Sequence, residues 1–324
     1  MKATASAFFA SVLACSISSG AALAADWDMP TPYPDKTFHT VNISEFAKEV
    51  EEATDGELSI TVHSAGSLIK HPEIKNAVRG QQVPIGEFFM STLSNENAAY
   101  GVDSEPFLAT SYDDAARLWE AQKPVITELL AEQNLVPLFS VPWPPQGLYT
   151  ENEIGRVSDL NGLKFRAYNA ALEKFATLAG AAPTQVEAPD IPQAFSTGQV
   201  EAMITSPSTG ANSAAWDYVS HYTPINAWVP KNIVVVNKAA FDGLDAKTQE
   251  AVMNAASAAE ERGWEMSKAE TEEKTDELQS NGMTIVEPSD ELLAGLKEIG
   301  ATMQEEWQAS ASEEAKAIVE AYQN

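Results

Sequence analysis

Leu135-Val136-Pro137-Leu138-Phe139-Ser140-Val141-Pro142-Trp143-Pro144-Pro145 ends one structural series and opens another. Residues 135–141 read as a strand, and the proline cluster behind them is the natural passage into a second domain, since proline continues neither helix nor central strand. Upstream, a proline-rich opening from Trp27 to Pro34 precedes Ile43, Phe46, Ala47 and Val50, spaced as one face of a helix that ends at Asp55-Gly56. Leu58, Ile60 and Val62 then alternate with polar residues as a strand does, closed by Gly66. A helix over 72–79, a strand over 84–89 and a helix over 113–133 complete an α/β rhythm.

Downstream of the prolines the rhythm resumes, with strands expected at 163–166, 184–187 and 200–205 and helices at 170–179 and 191–198. Ile233-Val234-Val235-Val236 is a β-branched run suited to a buried central strand, and the chain is expected to return there to the first sheet. From 245 to 279 there is no proline, and Val252, Ala255, Ala256, Ala259 and Met266 recur at helical spacing, which predicts one long helix with a bend at Gly263. Two amphipathic helices follow, one carrying Leu292, Leu293, Leu296, Ile299 and Met303, the other Ile318, Val319 and Tyr322. The fold class is therefore α/β with two lobes, the first formed by 26–144 plus 232–270 and the second by 145–231 plus 271–324, including the C-terminal helices.

Lys2, the apolar run 5–14 and Ala22-Leu23-Ala24 have the order of a secretory signal over 1–25. The run breaks at Ser16, Ser18, Ser19 and Gly20, short of the roughly 20 residues that cross a bilayer. The single cysteine, Cys15, lies inside this segment, so its removal leaves no thiol for a disulfide, metal site or nucleophile. The chain carries a formal charge of −27, a field that repels nucleic acid and anionic lipid surfaces and rules both out as expected partners. An anionic ligand would need a local cation to overcome that field.

Phosphate-cradling loops, dinucleotide fingerprints, zincin and nucleophile-elbow motifs and calcium loops are missing from the sequence. His39, His63, His71 and His221 have no metal-ligand spacing and read as structural or surface residues. Glu187 with Asp190 is the nearest approach to an acid/base pair, weak in so acidic a chain. No cofactor, metal or catalytic residue is expected. The scarce residue types carry more. Trp143, Tyr149, Tyr168, Trp216 and Trp228 fall at strand ends or in loops of the second half, where α/β proteins place binding groups. Arg166 ends a short apolar strand, and a guanidinium aimed into a crevice there matches a carboxylate with two parallel hydrogen bonds.

Val157-Ser158-Asp159-Leu160-Asn161-Gly162-Leu163-Lys164-Phe165-Arg166 is the most specific stretch of a wider likeness. With Ala65-Gly66-Ser67-Leu68, Glu105-Pro106-Phe107-Leu108, Gly180-Ala181-Ala182-Pro183, Ala194-Phe195-Ser196-Thr197-Gly198 and Val200-Glu201-Ala202, it resembles the solute-binding (DctP, P-subunit) proteins of tripartite ATP-independent periplasmic (TRAP) transporters. The resemblance implies a two-lobed periplasmic binding protein fold with a long helix spanning both lobes. It also implies a periplasmic location, a carboxylate ligand held by Arg166, and delivery to a small and a large integral-membrane subunit, without insertion of this chain in the membrane. Many relatives have a second arginine where this chain has Gln146, and Met203-Ile204-Thr205-Ser206-Pro207 replaces a common Gln-Glu-Asn-Pro. Those departures favour a monocarboxylate. Its remainder is expected to meet Trp143, Tyr149, Tyr168 and Trp228, with Gln146, Asn169, Thr205, Ser206, Ser208 and Asn232 as polar partners and Phe89, Met90 and Ser91 as the far wall. The alternatives are a bilobed periplasmic hydrolase or lyase, and a ligand-sensing partner of a membrane receptor.

Overall fold

The computed structural model describes residues 25–324; the expected export signal, apart from Ala25, lies outside them. The first lobe runs through β1 (Ala25–Pro30), α1 (Phe38–Ala53), β2 (Leu58–His63), α2 (Ile74–Arg79), β3 (Ile85–Phe89), α3 (Tyr112–Ala131) and β4 (Leu135–Pro142). The second comprises β5 (Gly147–Thr150), β6 (Lys164–Ala167), α4 (Ala170–Leu178), β7 (Ala182–Gln185), α5 (Ile191–Ser196), β8 (Ala202–Thr205), α6 (Pro207–Asn212) and β9 (His221–Thr223). The chain then returns through β10 (Lys231–Asn237), α7 (Lys238–Asp242), α8 (Ala246–Ser280), β11 (Thr284–Ile285), α9 (Asp290–Ser310) and α10 (Glu313–Gln323).

β10 does what its β-branched run predicts. It lies between β3 and β4, antiparallel to both, with every residue buried. Because side chains alternate across a strand, Ile233 and Val235 pack with α2, α3 and α10 on one face, while Val234 and Val236 pack with α1 and α8 on the other. β1 and β2 form a separate parallel pair beside this sheet. The second lobe is built on a six-stranded sheet in the order β11-β9-β5-β8-β6-β7. There Phe165, Ala202 and Ile204 fill one face and Tyr149, Met203 and Tyr222 the other.

α8, at 35 residues, is about 50 Å long at 1.5 Å per residue. It packs on α1 and β4 in the first lobe and on α6 and β11 in the second. Its buried side is mostly small, with Ala255, Ala256, Ala259, Gly263 and Ser267 letting neighbouring backbone approach closely. Gly263 sits within this single helix for that reason rather than as a break. A Cβ there would come within 2.4 Å of Val141 and 2.8 Å of the Asn42 amide.

Two expectations need correction. The C-terminal helices divide between the lobes: α9 covers the second, with Leu292, Leu296 and Met303 in its core. α10 instead crosses back and seats Ala315, Ile318 and Val319 against α3 in the first, because those residues complete an apolar face that α3 leaves open. The proline cluster is a crossing, but not an exposed linker, since residues 141–150 are all buried. It runs beside the return crossing, with Trp143 N donating to Pro230 O at 2.8 Å, Gln146 N to Trp228 O at 3.1 Å and Ala227 N to Gln146 O at 3.1 Å. Prolines suit a buried crossing because they bring no N–H that would need a partner away from water.

Candidate functional site

Between the lobes, beside the paired crossings, a small cavity is lined from both sides. Tyr33, His71 and Phe89 come from the first lobe, Trp143 and Gln146 from the crossing, and Arg166, Tyr168, Glu187, Ala188, Thr205 and Thr209 from the second. Arg166 reaches it because its neighbours Phe165 and Ala167 turn into the core on the opposite face of β6. Its Nε donates to Val186 O at 2.9 Å, and the guanidinium lies 4.9 Å over the Tyr168 ring. Arg166 is 3 % exposed, yet among the described residues no carboxylate lies within ion-pair distance and its terminal N–H groups bond no protein acceptor. Burial lowers its pKa, though an arginine begins so high that it stays charged. A buried cation without a counter-charge is costly to the folded protein, and it faces the cavity.

The aromatic wall is held by its own polar atoms. Trp228 Nε1 donates to the Tyr168 hydroxyl at 2.8 Å, Tyr168 donates to Gln146 Oε1 at 3.2 Å, and Gln146 Nε2 donates to Pro144 O at 2.7 Å. On the facing side Asn232 Oδ1 accepts from Tyr33 Oη at 3.0 Å and from Trp143 Nε1 at 2.9 Å. Asn232 Nδ2 in turn donates to the buried Glu87 at 3.1 Å. Tyr33 and Trp143 meet edge to face at 4.9 Å, as do Phe89 and Tyr168 at 5.4 Å.

Contacts across the cleft hold the lobes closed. Asn169 Nδ2, from the N-cap of α4, donates to Ser91 Oγ at 2.8 Å. His71 Nε2 accepts the Phe89 backbone N–H at 3.1 Å, which leaves the ring proton on Nδ1, and Nδ1 faces Glu187 Oε2 at 3.0 Å. Burial works to raise Glu187, but the hydrogen bond from His71 and the positive charge of Arg166 outweigh it, so its pKa lies below the usual carboxylate value. The cavity therefore holds one cation and one carboxylate that do not touch each other.

Residues 31–314 match the family of bacterial extracellular solute-binding proteins, family 7, DctP. The chain belongs to that family. It is a TRAP-type solute receptor, and its relatives bind solutes for transporters rather than transform them. Among solved structures, it is 42 % identical to the Bordetella pertussis extracytoplasmic solute receptor DctP6, described as binding pyroglutamic acid, with TM-score 0.91 over 92 % of this chain and 99 % of that one. A marine metagenome TRAP protein solved with co-purified pyroglutamate is also 42 % identical, with TM-score 0.90 over 93 % and 99 %. A solute-binding protein of Chromohalobacter salexigens is 26 % identical over 229 residues, 69 % of this chain and 68 % of its own.

Against that receptor fold, six of the residues singled out in the sequence meet at the cavity: Phe89, Trp143, Gln146, Arg166, Tyr168 and Thr205. Trp228 and Asn232 stand one layer behind, each bonded to a wall residue. Asn169 and Ser91 pair across the cleft instead of facing its contents. The rest are corrected. Met90 is fully buried in the first-lobe core. Tyr149 is buried under Gly210 and Tyr222 with its hydroxyl on Ser206 O. Ser206 caps α6, and Ser208, equally buried, meets the Asn212 amide at 3.4 Å. Glu187 does not pair with Asp190, which is exposed; its partner is His71, so the histidine read as merely structural belongs to the cavity. Tyr33, Thr209 and Ala188 went unremarked in the sequence. Tyr33 alone had a signal, as an aromatic within a proline-rich approach.

Proposed function

We propose that this receptor captures a small cyclic monocarboxylate, with pyroglutamate as its best-supported ligand, in the periplasm after loss of residues 1–25. It passes the ligand to the small and large membrane subunits of a TRAP transporter. The observation that carries the reading is Arg166, a buried guanidinium without a carboxylate partner, opening into a cavity walled by aromatic rings. Its terminal N–H pair suits one carboxylate, and Gln146 in place of a second cation suits a ligand with no second acid. The rings of Phe89, Trp143 and Tyr168 suit a flat, compact body. Two solved relatives 42 % identical to this chain, each described with pyroglutamate, support the same ligand class.

Mass spectrometry of acid-extracted protein followed by titration calorimetry tests it. Pyroglutamate, or another cyclic monocarboxylate, should be recovered unchanged and rebind. Recovery of a dicarboxylate or uronate with tight rebinding, and no heat with pyroglutamate, overturns the proposal.

A further inference from the structure

Glu187 sits in the cavity as a second charge that the capture of an anion does not call for. One of its oxygens is occupied from across the cleft, since His71 Nδ1 lies 3.0 Å from Oε2 and can only donate there while Nε2 accepts from Phe89 N. The other oxygen makes no hydrogen bond within the protein among the described residues. An ionised carboxylate is acceptor-only, so whatever meets that free oxygen must bring an N–H or O–H. A second carboxylate or a bare ring oxygen placed there would meet lone pair against lone pair.

We infer that Glu187 is the specificity-determining residue of this site, selecting carboxylates that carry a hydrogen-bond donor beside the acid, and that His71 is the positioning residue that aims it. The inference rests on the carboxylate reading above and deepens it. Arg166 takes the acid and Glu187 takes the donor, so a lactam acid satisfies both charges and its lactone counterpart, with oxygen in place of the ring N–H, satisfies one. Because His71 and Glu187 belong to opposite lobes, the acceptor is aimed only when the cleft is shut, and donor selection is read in the closed form. The Glu187 side chain keeps 35 % of its surface exposed, so the discrimination comes from the hydrogen bond to a charged acceptor rather than from stranding a fully buried one.

The test is calorimetric titration of wild type, Glu187→Gln and His71→Phe with pyroglutamate and with 5-oxotetrahydrofuran-2-carboxylate, after thermal melts confirm that each variant is folded. Wild type should prefer the lactam by about 10-fold or more. In Glu187→Gln the amide oxygen accepts from His71 and its NH2 faces the cavity, so the preference should fall within threefold or invert in favour of the lactone. His71→Phe should lower pyroglutamate affinity more than lactone affinity and so reduce the preference, whereas loss of a merely structural histidine would weaken both acids alike. Equal binding of both acids by wild type, or an undiminished preference in Glu187→Gln, overturns the inference and leaves the carboxylate reading standing. Failure of wild type to bind either acid overturns both, and a full preference in His71→Phe removes the positioning role.

Discussion

Two buried cations, Arg166 and Lys231, lie close to the crossings between the lobes and are treated in opposite ways. Lys231 is fully buried with Asp103, its Nζ 3.3 Å from Oδ2, and its backbone N–H also donates to that oxygen at 2.9 Å. The ammonium is in ion-pair contact with the carboxylate without a well-aligned hydrogen bond. Burial pushes Lys231 down and Asp103 up, and each restrains the other. Arg166 is as deeply buried but has no such partner. One cation completes the fold and the other is left incomplete for something to arrive. What separates them is whether the opposite charge is supplied by the chain.

Lys231→Met should break that comparison on the side of stability. It leaves Asp103 buried and unpaired, and denaturant unfolding should show a loss of about 3–5 kcal/mol, while the folded fraction still binds pyroglutamate within a few-fold of wild type. Adding Asp103→Asn should restore most of the loss; if the double variant is no better than the single, the pair is not the cause. Arg166→Ala should do the reverse, costing about 2–5 kcal/mol of binding, or some 30-fold or more in Kd, with no loss of stability in the melt, since it removes an uncompensated buried charge. Arg166→Lys should recover part, since an ammonium keeps the charge but not the two-pronged geometry. Binding by Arg166→Ala within threefold of wild type would mean that the unpaired guanidinium is not the recognition group.

A third buried charge sharpens the contrast by being discharged. Glu105, 8 % exposed, has its pKa pushed up to about 8 by burial, only partly offset by Lys174. Its folded pKa is raised above the ordinary carboxyl value near 4.5, so its contribution is fully present below that value and is lost as pH rises through about 8. Between those limits wild-type stability should fall by roughly 1.4 kcal/mol per pH unit relative to Glu105→Gln, or about 2–3 kcal/mol from pH 5.5 to 7.5. Parallel unfolding curves for the two proteins across that range would show that Glu105 is not held neutral. The smallest effect belongs to Asn169→Ala, which removes both the cap of α4 and the bond to Ser91 and should cost about 1 kcal/mol of stability. The ligand-bound form should lose more than the open one if the cross-cleft bond is made only on closure.

Where local pattern and final structure coincide, the sequence was readable. The β-branched run of β10 and the proline-free α8 announce themselves because one is buried on both faces and the other has no interruption. β1, β5 and β9 were not seen, since β1 and β5 lie against prolines that mask a strand period and β9 is only three residues long. At the site, Gln146 was found only through the family resemblance, while Arg166 and Trp143 were legible since each lies in or next to a segment with a distinctive local reading. His71 and Glu187 were not, because 116 residues separate them and each acquires its role from the other. Tyr149 and Trp228 failed differently: an aromatic near a strand end has the same local signature whether it faces a ligand or a core, and Gly210 is what admits the Tyr149 ring to the core.

The paired crossings make an unusual hinge. Residues 143–146 and 227–230 are bonded to each other through Trp143, Gln146 and Ala227 and are almost wholly removed from water. Hinges that work by local melting exchange their amide hydrogens quickly, drawn as they are from the least stable parts of a structure. Here those three amides should be among the slowest to exchange in either conformation, with the lobes swinging by small torsional changes that never expose them. The time needed to open would then be set by parting the contacts across the cleft, and the dwell of the solute would be governed by the cleft rather than by the joint.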